Sequence, residues 1–144
     1  MTEENRKKFK FFEHTADIKF RAYGSTLKEA FENSALAMFN AMSESKILGR
    51  IKKKIKVSGH DLESLLYNFL EELLFLLDTE SFFLSSCKVK IDNKNKKNLK
   101  LEAMLLGDKA KNYSISLDVK AVTYHEMFVK KQKGKFIIQA VLDV

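Results

Sequence analysis

Two aspartates far apart in the chain and two histidines are the residues whose settings point to chemistry. Asp143 follows the apolar run Phe136, Ile137, Ile138, Ala140, Val141 and Leu142 and stands one residue before Val144. A carboxylate that ends an apolar strand needs a partner. If this strand pairs beside the one entered from His14-Thr15-Ala16-Asp17, then Asp17 and Asp143 meet, together with the Val144 carbonyl or terminal carboxylate. Two carboxylates held close repel, so such a cluster calls for a hard cation with oxygen ligands, Ca²⁺ or Mg²⁺, rather than a soft metal. His14 lies three residues before Asp17, and His125 adjoins Glu126. Each alone is the common hydrogen-bonding histidine, but together they hint at a polar site. His60, just before Asp61, reads as a loop residue.

Other chemistries lack their residues. The five glycines are scattered, and neither GxGxxG nor GxxxxGK[ST] occurs, which excludes a Rossmann or Walker-type nucleotide site. No GxSxG elbow is present. Cys87, the single cysteine, alternates with Val89 and Ile91 and reads as a buried, inert thiol; no Cys/His set has zinc spacing. A hydrolase built on the Asp/His cluster would have no nucleophile.

With 144 residues, 45% of them apolar, the chain can fill one core, and without proline or a low-complexity tract nothing marks an internal boundary. A single domain over residues 1–144 is expected, with residues 1–8 a charged, flexible N-terminal segment. The unpaired cysteine, the absence of an apolar leader and of any long apolar stretch imply a cytoplasmic protein that does not enter a membrane. Twenty-six basic against 19 acidic residues give a net charge of +7. The lysines cluster at 52–56, 94–100 and 130–135; they read first as solvated strand faces and loop tips, and second as the surface of a basic RNA-binding or chaperone-like module.

The elements that must position these groups are legible in outline. Phe9 to Glu13 reads as a short strand, and Ile18, Phe20 and Ala22 alternate with Lys19, Arg21 and Tyr23 as a half-buried one. Thr26-Leu27-Lys28-Glu29 is a capping box that opens a helix ending near Met42. Ile51, Ile55 and Val57 mark a strand, in which Lys53 on the apolar side suggests a sheet edge or an unusual register. A second helix is capped by Asp61 and carries Leu62, Leu65, Leu66, Phe69, Leu70, Leu73, Leu74 and Leu77 at helical spacing. Cys87 to Ile91 and Leu99 to Leu105 form a hairpin around the polar turn Asn93 to Asn98. Further strands are expected at Leu117 to Thr123, Met127 to Lys130 and Phe136 to Leu142. Two helices and seven to nine strands, clustered late in the chain, predict an α+β fold with the helices packed on a mostly antiparallel sheet.

Three blocks then carry a family resemblance. Phe12-Glu13-His14-Thr15-Ala16-Asp17-Ile18, Val119-Lys120-Ala121-Val122-Thr123-Tyr124-His125-Glu126-Met127 and the terminal Val141-Leu142-Asp143-Val144 occur in an order and spacing that resemble archease, the small partner protein of RtcB-type RNA ligases. The helix Asp61-Leu62-Glu63-Ser64-Leu65-Leu66-Tyr67 is similar too, so the resemblance covers residues 9–144. It implies a non-catalytic activator that speeds formation of the ligase's histidine-GMP intermediate, permits multiple turnover and broadens nucleotide use in tRNA splicing and RNA repair. RNA would be met indirectly, through the ligase. The resemblance also implies a metal site made of Asp17, Asp143 and the carbonyl of Val144, with Ca²⁺ the ion and Mg²⁺ or Mn²⁺ as substitutes, supported at the partner interface by His14 and His125. The family pattern departs at Gly107 to Tyr113, where Asn112 or Tyr113 stands in place of an expected histidine.

Overall fold

A computed structural model of the chain describes residues 8–13 and 16–144. The N-terminal segment before Lys8, together with His14 and Thr15, lies outside the described residues. Nine main elements follow in chain order: β1 (Phe9–Phe12), β2 (Asp17–Gly24), α1 (Leu27–Met42), β3 (Ile51–Gly59), α2 (Leu62–Glu80), β4 (Phe82–Asp92), β5 (Leu99–Lys109), β6 (Ala121–Gln132) and β7 (Lys135–Asp143). A short 3₁₀ turn spans Ala110–Asn112.

The strands divide into two sheets instead of one. The first has the order β1-β2-β7-β6 and the second β3-β5-β4, and every pairing is antiparallel. Both helices touch both sheets: α1 packs on β2 and β4, and α2 on β3 and β6. This explains why their apolar faces are so broad. In α1, Ala30, Phe31, Ser34, Ala35, Ala37 and Met38 are all fully buried, and a helix covered from two sides must be apolar over most of its circumference. Phe39 meets Phe83 of β4 edge to face, with ring centroids 4.9 Å apart, which ties α1 to the second sheet.

Local chemistry sets the helix ends. The Thr26 hydroxyl accepts from the Glu29 N–H at 3.2 Å, as the capping box requires, but the Glu29 carboxylate reaches the Ser25 N–H at 2.9 Å, one residue earlier than the motif predicts. At α2 the box is complete with serine as the returning partner. Asp61 accepts from the Ser64 N–H at 2.7 Å and Ser64 Oγ accepts from the Asp61 N–H at 3.2 Å. The Ser64 N–H chiefly, with the Ser64 side chain and His60 adding to it, holds the Asp61 carboxyl below its usual range.

The expectation of separate strands at Leu117–Thr123 and Met127–Lys130 is corrected. A single strand, β6, begins only at Ala121, takes in the end of the first span and all of the second, and its register against β7 breaks between Thr123 and Phe128. An interruption that the sequence presents as a gap between strands is a bulge within one strand. Lys53, whose position suggested an edge, does lie on the edge strand β3, where its ammonium pairs with Glu80 at the end of α2.

Candidate functional site: a carboxylate pair at three strand ends

Asp17 opens β2 and Asp143 closes β7, and the two are register partners, so their side chains emerge side by side on one face of the sheet. Asp143 is also opposite Ala121, the first residue of β6, so three strands end together here. The Lys120 N–H donates to the Asp143 carbonyl at 2.8 Å and fixes the last residue of β7. Val144 packs against the core, half-buried. The chain enters β2 through Ala16, whose φ of 63° is left-handed, a conformation uncommon for a residue with a side chain and frequent where function dictates backbone shape.

The β6 bulge lies next to this corner. Thr123, two residues beyond Ala121, is opposite Val141, and its hydroxyl donates to the Val141 carbonyl at 3.0 Å. The strand then loops out through Tyr124, His125 and Glu126, with Glu126 at a φ of 53°. Gln139 of β7, buried, holds the loop in place: its amide donates to the Glu126 carbonyl at 2.8 Å and its oxygen accepts from Arg21 at 2.9 Å. The Glu126 carboxylate bridges outward, with Lys19 at 3.3 Å on one side and His125 Nε2 at 3.1 Å on the other. Lys19 is two residues from Asp17 on the same face of β2, so the bulge is pinned to the strand that carries the carboxylate.

Tyr124 turns the other way and stacks on Tyr67 of α2, with ring centroids 4.3 Å apart and planes 7° from parallel. Partial burial, then Tyr67 and Asp61, push its phenol above the usual pKa. This stack was not anticipated from sequence, since Tyr67 belongs to the α2 periodicity and Tyr124 to a strand. Glu71 adds a clip between helix and strand by accepting from the Val122 N–H at 3.3 Å.

The predicted cluster is therefore assembled in part. Asp17 and Asp143 are brought together, and His125 lies on the neighbouring bulge engaged with Glu126; His60 is an exposed loop residue beside Asp61. His14 lies outside the described residues. Among the described residues no group of three His, Cys, Asp or Glu side chains gathers at metal-binding distance. The donor set is two carboxylates plus backbone carbonyls, all hard oxygens, which suits Ca²⁺ or Mg²⁺ and would require further oxygen ligands from backbone or water. A groove of about 600 Å³, lined by Phe11, Phe12, Ile18, Glu44 and Ser116, reaches the residue next to Asp17.

Where the family pattern departs, the structure has built something specific. Asp108 is buried and receives the Tyr113 hydroxyl at 2.7 Å, the Lys109 N–H at 2.8 Å and the Asn112 amide at 3.4 Å, with Arg50 at 3.7 Å. The Tyr113 hydrogen bond, more than any other group, holds the Asp108 carboxyl below its usual range. The Tyr113 oxygen also accepts from the Leu48 N–H at 2.9 Å. Asn112 and Tyr113 thus serve as internal anchors for Asp108.

Comparison with known proteins decides the family. The Archease protein family matches residues 9–144, nearly the whole chain. The chain belongs to the archease family. The archease of Sulfurisphaera tokodaii is 44% identical over 140 residues, covering 95% of this chain and 99% of that protein. That of Pyrococcus abyssi is 42% identical over 142 residues, with 96% and 99% covered. Archease structures agree in fold. The solution structure of a protein from Methanobacterium thermoautotrophicum superposes with a TM-score of 0.81 at 38% identity, covering 95% of this chain and 99% of that one. The crystal structure of an archease from Thermotoga maritima, 17% identical, shares the fold with a TM-score of 0.59 over 92% of this chain. As in the sequence reading, the architecture is α+β, and among the described residues no helix is long and apolar enough to cross a membrane.

Proposed function

We propose that the chain activates an RtcB-type RNA ligase in tRNA splicing and RNA repair, presenting the Asp17/Asp143 corner to it. The single observation that carries this reading is the cross-strand pairing of Asp17 with Asp143 in a member of the archease family. Like charges directly opposite across a ladder repel, and a cation between them would offset that repulsion. The corner is held rigid by three strand ends, the Lys120 bond and the Gln139-anchored bulge, and a rigid donor set is what positioning chemistry requires.

In this account the protein does no covalent chemistry of its own; it supplies position and charge. Asp17, Asp143 and the Val144 carbonyl would hold Ca²⁺, with Mg²⁺ or Mn²⁺ as substitutes, and the cation would offset the carboxylate repulsion. Lys19 and His125, both on Glu126, flank the corner with donors suited to a phosphate or carboxylate of the partner. His14, adjoining Asp17 in sequence, belongs to the same proposed interface. The ligase works in the cytoplasm and joins the RNA ends. The test is single-turnover transfer of GMP to the ligase of the same organism. Acceleration by this protein supports the proposal, and an unchanged rate with a competent ligase rejects it.

A further inference from the structure

The outer face of the second sheet carries a feature that the proposed function does not use. Side chains of β3, β5 and β4 that point away from the helices line up in register: Lys52, Leu106 and Ser86; Lys54, Met104 and Lys88; Lys56, Glu102 and Lys90; Ser58, Lys100 and Asp92. Six ammonium groups thus share one open face with only two carboxylates, Glu102 and Asp92, and all six lysines are exposed. Lys54 pairs with Glu102 at 2.8 Å. That hydrogen bond chiefly, with Lys56 and Lys90 adding to it, holds the Glu102 carboxyl below its usual range, so three lysines converge on one acid. At the turn end, Lys56, Lys90 and Lys100 line a concavity of about 550 Å³ together with Asn98 and the two acids Asp92 and Glu102.

We infer that this lysine face is a docking surface for the phosphate backbone of RNA. Charge complementarity selects the occupant. Lysine is depleted from protein–protein interfaces, which concentrate aromatic residues, methionine and arginine at their centres. Here Met104 and Leu106 are the apolar members of the rows, and no aromatic side chain stands among them. Ammonium groups on alternate residues repeat about every 6.6 Å along a strand, suiting a repeating polyanion. Without aromatic platforms or a bidentate fork for base edges, binding is to phosphates and independent of sequence. The choice of RNA over DNA rests on the proposed ligase partnership; the recognition of phosphate does not. The surface lies on a different sheet from the Asp17/Asp143 corner, so one molecule could hold substrate RNA while the corner engages the ligase.

The test is fluorescence anisotropy of a labelled 20-nucleotide single-stranded RNA across a salt series, with the full chain and two triple variants of equal charge. K52Q/K56Q/K90Q removes three lysines of the face and keeps the Lys54–Glu102 pair. K131Q/K133Q/K135Q removes three at the β6–β7 turn and the strand ends that flank it. Each phosphate neutralised by a lysine contributes about 0.7 to the salt slope for a single strand through the counterions it releases, so the face variant should flatten the slope by about 2 and weaken binding about tenfold or more at low salt. The turn variant should bind within about twofold of wild type. Equal weakening by both triples would mean attraction by net charge alone and would overturn the inference. So would unchanged RNA binding by the face variant, or binding of polyglutamate or phosphatidylserine vesicles through these lysines in place of RNA. Guanylylation of the ligase involves no RNA, so the face variant should activate at the wild-type rate, and a failure of either proposal remains visible separately.

Discussion

Asp17 and Asp143 are register partners at the end of the β2–β7 ladder, so two carboxylates project from adjacent strands at a corner where three strands terminate. Side chains directly opposite in an antiparallel pair lie about 4.5–5.5 Å apart at Cβ, close enough for like charges to destabilise the pair and for one cation to serve both.

The pairing predicts a crossover in stability. Without divalent cation, Asp143→Asn relieves repulsion and should melt at or slightly above the wild-type temperature. With Ca²⁺ at about 100 times its Kd, the wild type should gain about 2.7 kcal/mol while the variant gains little. Thermal unfolding with Ca²⁺ and with chelator reads both, and equal Ca²⁺ response of the two proteins would remove the metal from the corner.

Gln139 should matter out of proportion to its distance from the corner. Gln139→Leu keeps a buried side chain of similar size but removes the bonds to the Glu126 carbonyl and to Arg21. A cost of about 1–3 kcal/mol in urea unfolding is expected, together with reduced activation as the bulge carrying His125 loosens. Full activation in a destabilised variant would show that the bulge does not serve the interface.

The Asp108 anchor makes stability depend on acid. A carboxyl held low in the folded state contributes stability above its unfolded pKa of about 3.9, and that contribution is lost as pH falls toward the folded value. Tyr113→Phe removes the largest cause of the depression. The variant should be less stable than wild type near pH 7, with the difference shrinking below about pH 4. Unfolding curves at several pH values check this; a pH-independent difference would point to packing instead.

Cys87 is expected to be chemically quiet. Burial, reinforced by Glu32, pushes its thiol up to about 12. At pH 8 iodoacetamide should modify it at least about a hundredfold more slowly than a free thiol, and only unfolding should release the normal rate. Cys87 is half-buried, not fully buried as its strand position suggests, and rapid labelling of the folded chain would show that its surroundings do not suppress the thiolate.

What the sequence reveals follows from how local each signal is. Helix α2 is legible because its leucines repeat at helical spacing and Asp61 caps it, both local facts. The meeting of Asp17 with Asp143 could be stated only conditionally, because it depends on which strands pair, a long-range property that alternation does not encode. The division of the strands into two sheets is hidden for the same reason. The bulge at Tyr124 to Met127 was mistaken for a gap, since a looped-out segment breaks the period-two pattern as a true connection does. The Tyr67–Tyr124 stack joins a helix to a strand 57 positions away and leaves no local trace. The lysine face was half visible: Lys52, Lys54 and Lys56 stand out as a run, but their union with Lys88, Lys90 and Lys100 exists only once β3, β5 and β4 are in register.

The central claim is that the carboxylate corner activates the ligase. Its most direct test is single-turnover transfer of GMP to the RtcB-type ligase of the same organism with wild type, Asp17→Ala and Asp143→Ala, all three first shown to be folded by thermal unfolding. The account predicts acceleration by the wild type and a return to the unassisted rate with either variant. Acceleration by both alanine variants equal to that of the wild type would contradict it.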